Sequence, residues 1–317
     1  MDDVVLMFPG QGSQHVRMAA GLYGHEQVFT ETVREVLELF GSDGPRIHAD
    51  WLGGHDIDHV SRAQPLLFAV DYALGRTVLS RGVRPVALIG HSAGEVVAAT
   101  LAGVFTTEQA VSLVAGRVRV AVDIPSGGMI AVAASEAQLR PYLLGDVAIA
   151  AVNTAKQTML AGSDAPLAQV RATLEADDFT VRAVPATTPF HSPAMEPAAR
   201  EALRTFDIVP NAPRLTVYSG YTGRVMTAED AASPAFWARQ ITDTVYFGPA
   251  LNALLEAHDA MLVEAGPGQT LSTFARRAKG VRTGCSSVLP LLPPGPGGDD
   301  LATFRAAVGR LPADRAA

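Results

Sequence analysis

The chain has 317 residues, 48% of them apolar, and a formal net charge of −7. A chain of this size buries roughly three quarters of its unfolded surface, which suits one large domain with a smaller insert, and the negative charge argues against nucleic acid as a partner. The single cysteine, Cys285, excludes an internal disulfide and a cysteine-rich metal site. No stretch approaches the ~20 apolar residues of a membrane span, and the acidic start Met1-Asp2-Asp3 is unlike a signal peptide, so a cytoplasmic protein without membrane or metal is expected.

In chain order, residues 4–8 form a continuous apolar run that stops at Pro9-Gly10, the pattern of a buried parallel strand. Helical patterns follow near 25–40 and 64–79, and a second apolar run at 86–89 ends at Gly90. Later runs at 215–218, 261–263 and 288–292 supply three more strands, separated by helix-length segments. This alternation predicts an α/β domain on a mainly parallel sheet. Residues 127–188 read differently: strand (129–133), helix (136–144), strand (147–152), strand (158–161), helix (165–175), strand (180–184). That order is ferredoxin-like and predicts a small subdomain set into the larger one, with a cleft where they meet. The large domain is then 1–126 with 189–292, and the Pro- and Gly-rich run after Leu292 starts a linker and tail over 293–317, with a short polar helix and a frayed end.

Gly90-His91-Ser92-Ala93-Gly94 has the form of a nucleophile elbow, with a predicted strand before it and an apolar helix after it. The sharp turn leaves no room for side chains beside the serine, and the helix N-terminus favours developing negative charge. Serine needs a base. His15, His25, His48, His55, His59 and His258 lie in polar or helix-surface contexts, and His91 is fixed inside the elbow. His191, in Thr188-Pro189-Phe190-His191-Ser192-Pro193, falls in a loop at the rim of the expected cleft; from the residues alone it is either the base or an ordinary loop histidine. Arg117 stands in an apolar helical pattern, either gripping an anion or pairing with an acid such as Glu108.

Phe8-Pro9-Gly10-Gln11-Gly12-Ser13-Gln14, Gly90-His91-Ser92-Ala93-Gly94-Glu95, Phe190-His191-Ser192-Pro193-Ala194-Met195 and Gly266-Pro267-Gly268, in this order, resemble the motifs of malonyl-CoA:acyl carrier protein transacylases and polyketide synthase acyltransferase domains, over residues 4–292. The resemblance implies an α/β-hydrolase-like parallel-sheet domain with the ferredoxin-like insert. It makes Ser92 the nucleophile and His191 its base, gives the backbone amides of Gln11 and Ala93 to an oxyanion hole, and sets Arg117 on the substrate carboxylate. It also gives Gln240, through its backbone carbonyl, the orientation of the histidine in place of a triad aspartate.

The implied enzyme carries a malonyl-type unit from a CoA or carrier-bound thioester, through acyl-Ser92, to the phosphopantetheine thiol of an acyl carrier protein, with no cofactor of its own. It acts as a discrete enzyme or as a piece of a larger assembly. Thr188-Pro189-Phe190-His191 matches neither the common malonyl nor the common methylmalonyl signature, although Phe190 is shared with the malonyl form, so a non-malonyl acyl group stays open. An editing hydrolase would use the same elbow and histidine, and an inactive docking scaffold would need neither. Arg276, Arg277, Lys279 and Arg282 form the densest basic cluster, either a docking face for an acidic carrier protein or a solvated helix end.

Overall fold

The computed structural model describes residues 3–312. Among these, nine strands form two sheets: β1 (Val4–Phe8), β2 (Ala87–Gly90), β3 (Gly127–Val132), β4 (Ala148–Thr154), β5 (Gln157–Ser163), β6 (Val181–Val184), β7 (Val217–Tyr218), β8 (Met261–Glu264) and β9 (Ser287–Pro290). The larger sheet has the order β7-β2-β1-β8-β9 with every pairing parallel. The apolar runs are continuous because both faces of this sheet are covered. Val4, Leu6 and Phe8 point into one core, which holds the helix Val60–Ser80, while Val5 and Met7 point into the other, with the helix Phe247–Ala257.

The smaller sheet is antiparallel with the order β4-β5-β3-β6, the arrangement expected of a ferredoxin-like unit, and it has its own core around Ile130, Leu160, Leu167 and Leu174. Its first helix is shorter than the predicted 136–144. It stops at Leu139 and gives way to a 3-10 turn, Arg140–Tyr142, because Pro141 has no amide to continue the ladder. The edge strand β4 also reaches the larger unit: Val152 N donates to Val245 O (2.8 Å) and Val245 N to Ala150 O (2.9 Å).

After Leu292 the expected short helix follows, but it is docked on the large domain and not loose. The helix Asp300–Val308 packs on the 3-10 turn Ala20–Leu22, with Phe304 fully buried in the main core and Leu311 beside it. Asp300 accepts from the Gly21 amide and Arg305 reaches Glu26, so the helix is fixed by polar contacts as well. Residues 313–317 lie outside the described residues. No helix among the described residues is long and apolar enough to cross a membrane. Phe304→Ala should lower stability by about 3–5 kcal/mol, the usual cost of emptying a buried phenylalanine site. Urea unfolding checks this, and an unchanged midpoint would mean the helix contributes nothing to the core.

Candidate active site

Strand β2 ends at Gly90, the chain turns sharply, and the helix Gly94–Leu101 begins at once. Ser92 sits at φ 53°, in the left-handed region that non-glycine residues seldom occupy. The two flanking glycines are sterically required. A Cβ on Gly90 would collide with the Glu95 amide nitrogen, and one on Gly94 with the Phe8 carbonyl oxygen. The turn therefore holds the Ser92 hydroxyl outward at the start of the helix.

His191 meets it there. Ser92 Oγ donates to His191 Nε2 at 2.7 Å, and His191 Nδ1 donates to the Asp243 carbonyl at 2.9 Å. The histidine is also at positive φ (63°) and its amide donates to Ile241 O at 2.8 Å, so backbone and ring are held by the same 241–243 segment. That segment is anchored in turn by β4, through Val245 and through Thr244 Oγ1 bonded to Ile149 O (2.7 Å). The ferredoxin-like insert thus supports the carbonyl that orients the histidine. Burial above all, then the nearby His91 and Arg117, lowers the His191 pKa to about 3 against the opposing pull of the Asp243 carbonyl. The imidazole is neutral at ordinary pH, with Nε2 unprotonated and facing the serine.

Gln240 shares its expected role with a neighbour. The carbonyl on Nδ1 is that of Asp243, and the Gln240 carbonyl gives only a smaller share of the same backbone support. The Gln240 side chain, 1% exposed, does something else: its Oε1 accepts from Arg117 Nη2 at 2.5 Å and its Nε2 donates to Glu95 Oε1 at 3.1 Å.

Arg117 points inward and is 5% exposed, while Glu108 stays exposed at the start of the same helix. Its Nη2 also donates to Trp237 O at 3.0 Å, and its buried Nε has no acceptor. Burial lowers the Arg117 pKa, and no carboxylate is in direct contact with the guanidinium among the described residues. Glu95 lies nearby, fully buried, accepting from Ser219 Oγ and Gly220 N at 2.8 Å each; burial raises its pKa to about 8. Glu95 ties the elbow helix to the 219–220 loop and to Gln240. Sequence reasoning gave it no role, although an acid in the first turn of an otherwise apolar helix was a visible signal.

Gln11 lies in the loop after β1, where Gln64 Nε2 donates to its Oε1 at 3.0 Å. The close approach of this loop to the elbow depends on Gly10, whose Cβ would meet His91 O at 2.5 Å. Among the described residues the amides of Gln11 and Ala93 have no protein acceptor, so both are free to serve a substrate oxygen. Gln11 and His91 face β3, β5 and β6 across a cleft of about 290 Å³ that also contains Asn153, Gln157 and Arg182. His91 Nε2 bonds Asn153 Oδ1 at 2.7 Å, a second tie between the two units that sequence reasoning did not find. Arg276, Arg277, Lys279 and Arg282 are all exposed, and Arg277 Nη1 reaches Gln157 Oε1 at the edge of the cleft (3.4 Å).

A part-buried serine–histidine pair at a helix N-terminus and two amides open to an oxyanion are what acyl transfer through a covalent ester requires. Residues 5–312 match the family model described as the acyl transferase domain. The chain belongs to the acyl transferase domain family. It is 38% identical over 316 residues to a phenolphthiocerol/phthiocerol polyketide synthase protein of Mycobacterium tuberculosis, covering 98% of this chain and 21% of that protein. The chain therefore spans about a fifth of that relative's length. Among solved structures it is similar to a loading acyltransferase from the avermectin modular polyketide synthase (TM-score 0.86, 28% identity, 97% and 99% of the two chains). It is also similar to the malonyl CoA-acyl carrier protein transacylase of Coxiella burnetii (TM-score 0.84, 26% identity, 98% of each). The acyltransferase is thus of the polyketide synthase and fatty acid transacylase type, on the α/β fold expected.

The depressed pKa of His191 carries a pH prediction. An unperturbed histidine loses its basic form below pH ~6.5, but one shifted downward keeps it, so labelling of Ser92 by a sulfonyl fluoride should be flat between about pH 5 and 8. A rate that falls through a midpoint near 6.5 would show that His191 is not held as described.

Proposed function

We propose that this acyltransferase moves a malonyl-type carboxyacyl unit from a CoA thioester to the phosphopantetheine thiol of an acyl carrier protein. The observation that carries the reading is Arg117, a buried guanidinium with an unpartnered Nε beside the Ser92–His191 pair. A guanidinium removed from water needs an anion, and a carboxylate accepts from it bidentately. The similarity to a malonyl CoA-acyl carrier protein transacylase supports the substrate class.

In the first half-reaction His191 Nε2 takes the Ser92 proton as Oγ attacks the thioester carbonyl. The resulting oxyanion accepts from the Gln11 and Ala93 amides, and the imidazolium is stabilised by the Asp243 carbonyl. The C–S bond breaks, the thiol leaves with the proton returned from Nε2, and the acyl group remains as an ester on Ser92. In the second, the carrier thiol gives its proton to Nε2 and attacks the ester, and the serine is regenerated. The exposed Arg276, Arg277, Lys279 and Arg282 beside the cleft form the docking face for an acidic carrier.

Intact-protein mass spectrometry with malonyl-CoA should find one added malonyl group on the wild type and none on Ser92→Ala. His191→Ala should slow acylation by roughly 10² to 10⁴. Arg117→Ala should cut the malonyl-to-acetyl rate ratio by about 30-fold to a few thousand-fold, the effect of leaving a buried carboxylate unmatched. An acylated Ser92→Ala protein, or an Arg117→Ala protein with the wild-type ratio, would contradict the assignment.

A further inference from the structure

Tyr221 has no part in the motifs above, yet it stands against the reacting groups. Its phenol lies close enough to Ser92, Arg117 and Glu95 for all three to act on its ionisation. Its ring centroid is 6.2 Å from that of His191 and 6.2 Å, edge-on, from that of Phe236. The backbone under it is rigid. The Gly220 amide donates to Glu95, the Gly220 carbonyl accepts from Tyr246 N at 2.6 Å, and the Tyr221 amide donates to Ser219 Oγ at 3.1 Å. Burial first, and then the Glu95 charge, push its ionisation far upward, so the hydroxyl stays a proton-bearing donor.

Tyr221 also lines an open cleft of about 410 Å³, together with Pro193, Thr242, Asp243 and Tyr246. One aromatic side chain thus touches the His191 ring and borders a space much larger than a small acyl group. On the inner side, the cavity that reaches from Ala93 to Arg117 measures only about 10 Å³, room for roughly one water-sized group.

We propose that Tyr221 sets acyl selectivity: its ring walls the acyl site off from the 410 Å³ cleft, and its hydroxyl is a second donor, beside Arg117, to a small carboxyacyl group. With an acyl ester on Ser92, the hydroxyl faces the acyl carboxylate. A short unbranched unit fits beside the ring, and a branched or long one meets it. The assignment rests on the carboxyacyl-transfer reading above.

The test measures acylation of Ser92 from malonyl, ethylmalonyl, acetyl and hexanoyl thioesters by intact-protein mass spectrometry, on the wild type, Tyr221→Phe and Tyr221→Ala. Tyr221→Phe should lower the malonyl-to-acetyl ratio about tenfold, the size of one hydrogen bond to a charged group. Tyr221→Ala should join the two spaces and raise acylation from ethylmalonyl and hexanoyl donors. A Phe variant with the wild-type ratio overturns the donor role, and an Ala variant with an unchanged melting temperature that gains neither large donor overturns the wall. Should the Ala variant not fold, Tyr221→Leu is read in the same way. A wild type that accepts no carboxyacyl donor would sink the functional reading itself, whereas one that accepts malonyl with unaltered variants would sink only the role of Tyr221.

Discussion

The hydrogen bond between Ser92 Oγ and His191 Nε2 joins residues 99 positions apart, and much of the architecture around it serves to hold both ends. Each end is strained: Ser92 and His191 both occupy the left-handed backbone region, at φ 53° and 63°. Such conformations cost on the order of 1–3 kcal/mol each and persist only where the surroundings leave no alternative. For the serine, the surroundings are the parallel sheet and two glycines that let backbone pass against backbone. For the histidine, they are the 241–243 carbonyls and the β4 edge that pins the chain just beyond them.

That arrangement explains why the small antiparallel unit is more than a lid. It contributes no side chain to the Ser92–His191 pair, but β4 fixes Val245 and Thr244, and through them the Asp243 carbonyl that sets the histidine tautomer. Asn153 on the same strand holds His91 inside the elbow. Moving the insert would therefore disturb His191 and His91 together. Behind the pair, Glu95, Gln240 and Arg117 form a buried polar chain, Glu95 to Gln240 to Arg117, in which an amide stands between carboxyl and guanidinium. A direct ion pair there would leave the arginine satisfied. The intervening amide and the raised pKa of Glu95 leave the guanidinium short of an anion, a costly state on which the proposed carboxylate contact rests.

Much of this was legible in the residues. The continuous apolar runs announce a sheet covered on both faces, and the elbow needs only its local spacing to be read. His191 was separable from the other histidines by its loop, though only the family resemblance singled out its role. What could not be read has physical causes. The carbonyl on His191 Nδ1 belongs to Asp243, with the Gln240 backbone in a smaller share, because backbone acceptors carry no side-chain signature, and the side-chain bonds of Gln240 to Arg117 and Glu95 gave no signal either. The docking of the tail could not be read because its helix is short and the burial of Phe304 depends on a distant turn at Ala20–Leu22. Tyr221 sits in no motif, and only the fold brings it to Ser92.

The central claim is that one carboxyacyl group spans the site from Ser92 to Arg117, and a crystal structure of the malonylated enzyme would test it most directly. The account predicts an ester on Ser92 Oγ, its carbonyl oxygen within hydrogen-bond distance of the Gln11 and Ala93 amides, and its free carboxylate on the Arg117 guanidinium. A malonyl group bonded to Ser92 but with its carboxylate in solvent, or Arg117 still satisfied only by Gln240 and Trp237, would contradict it.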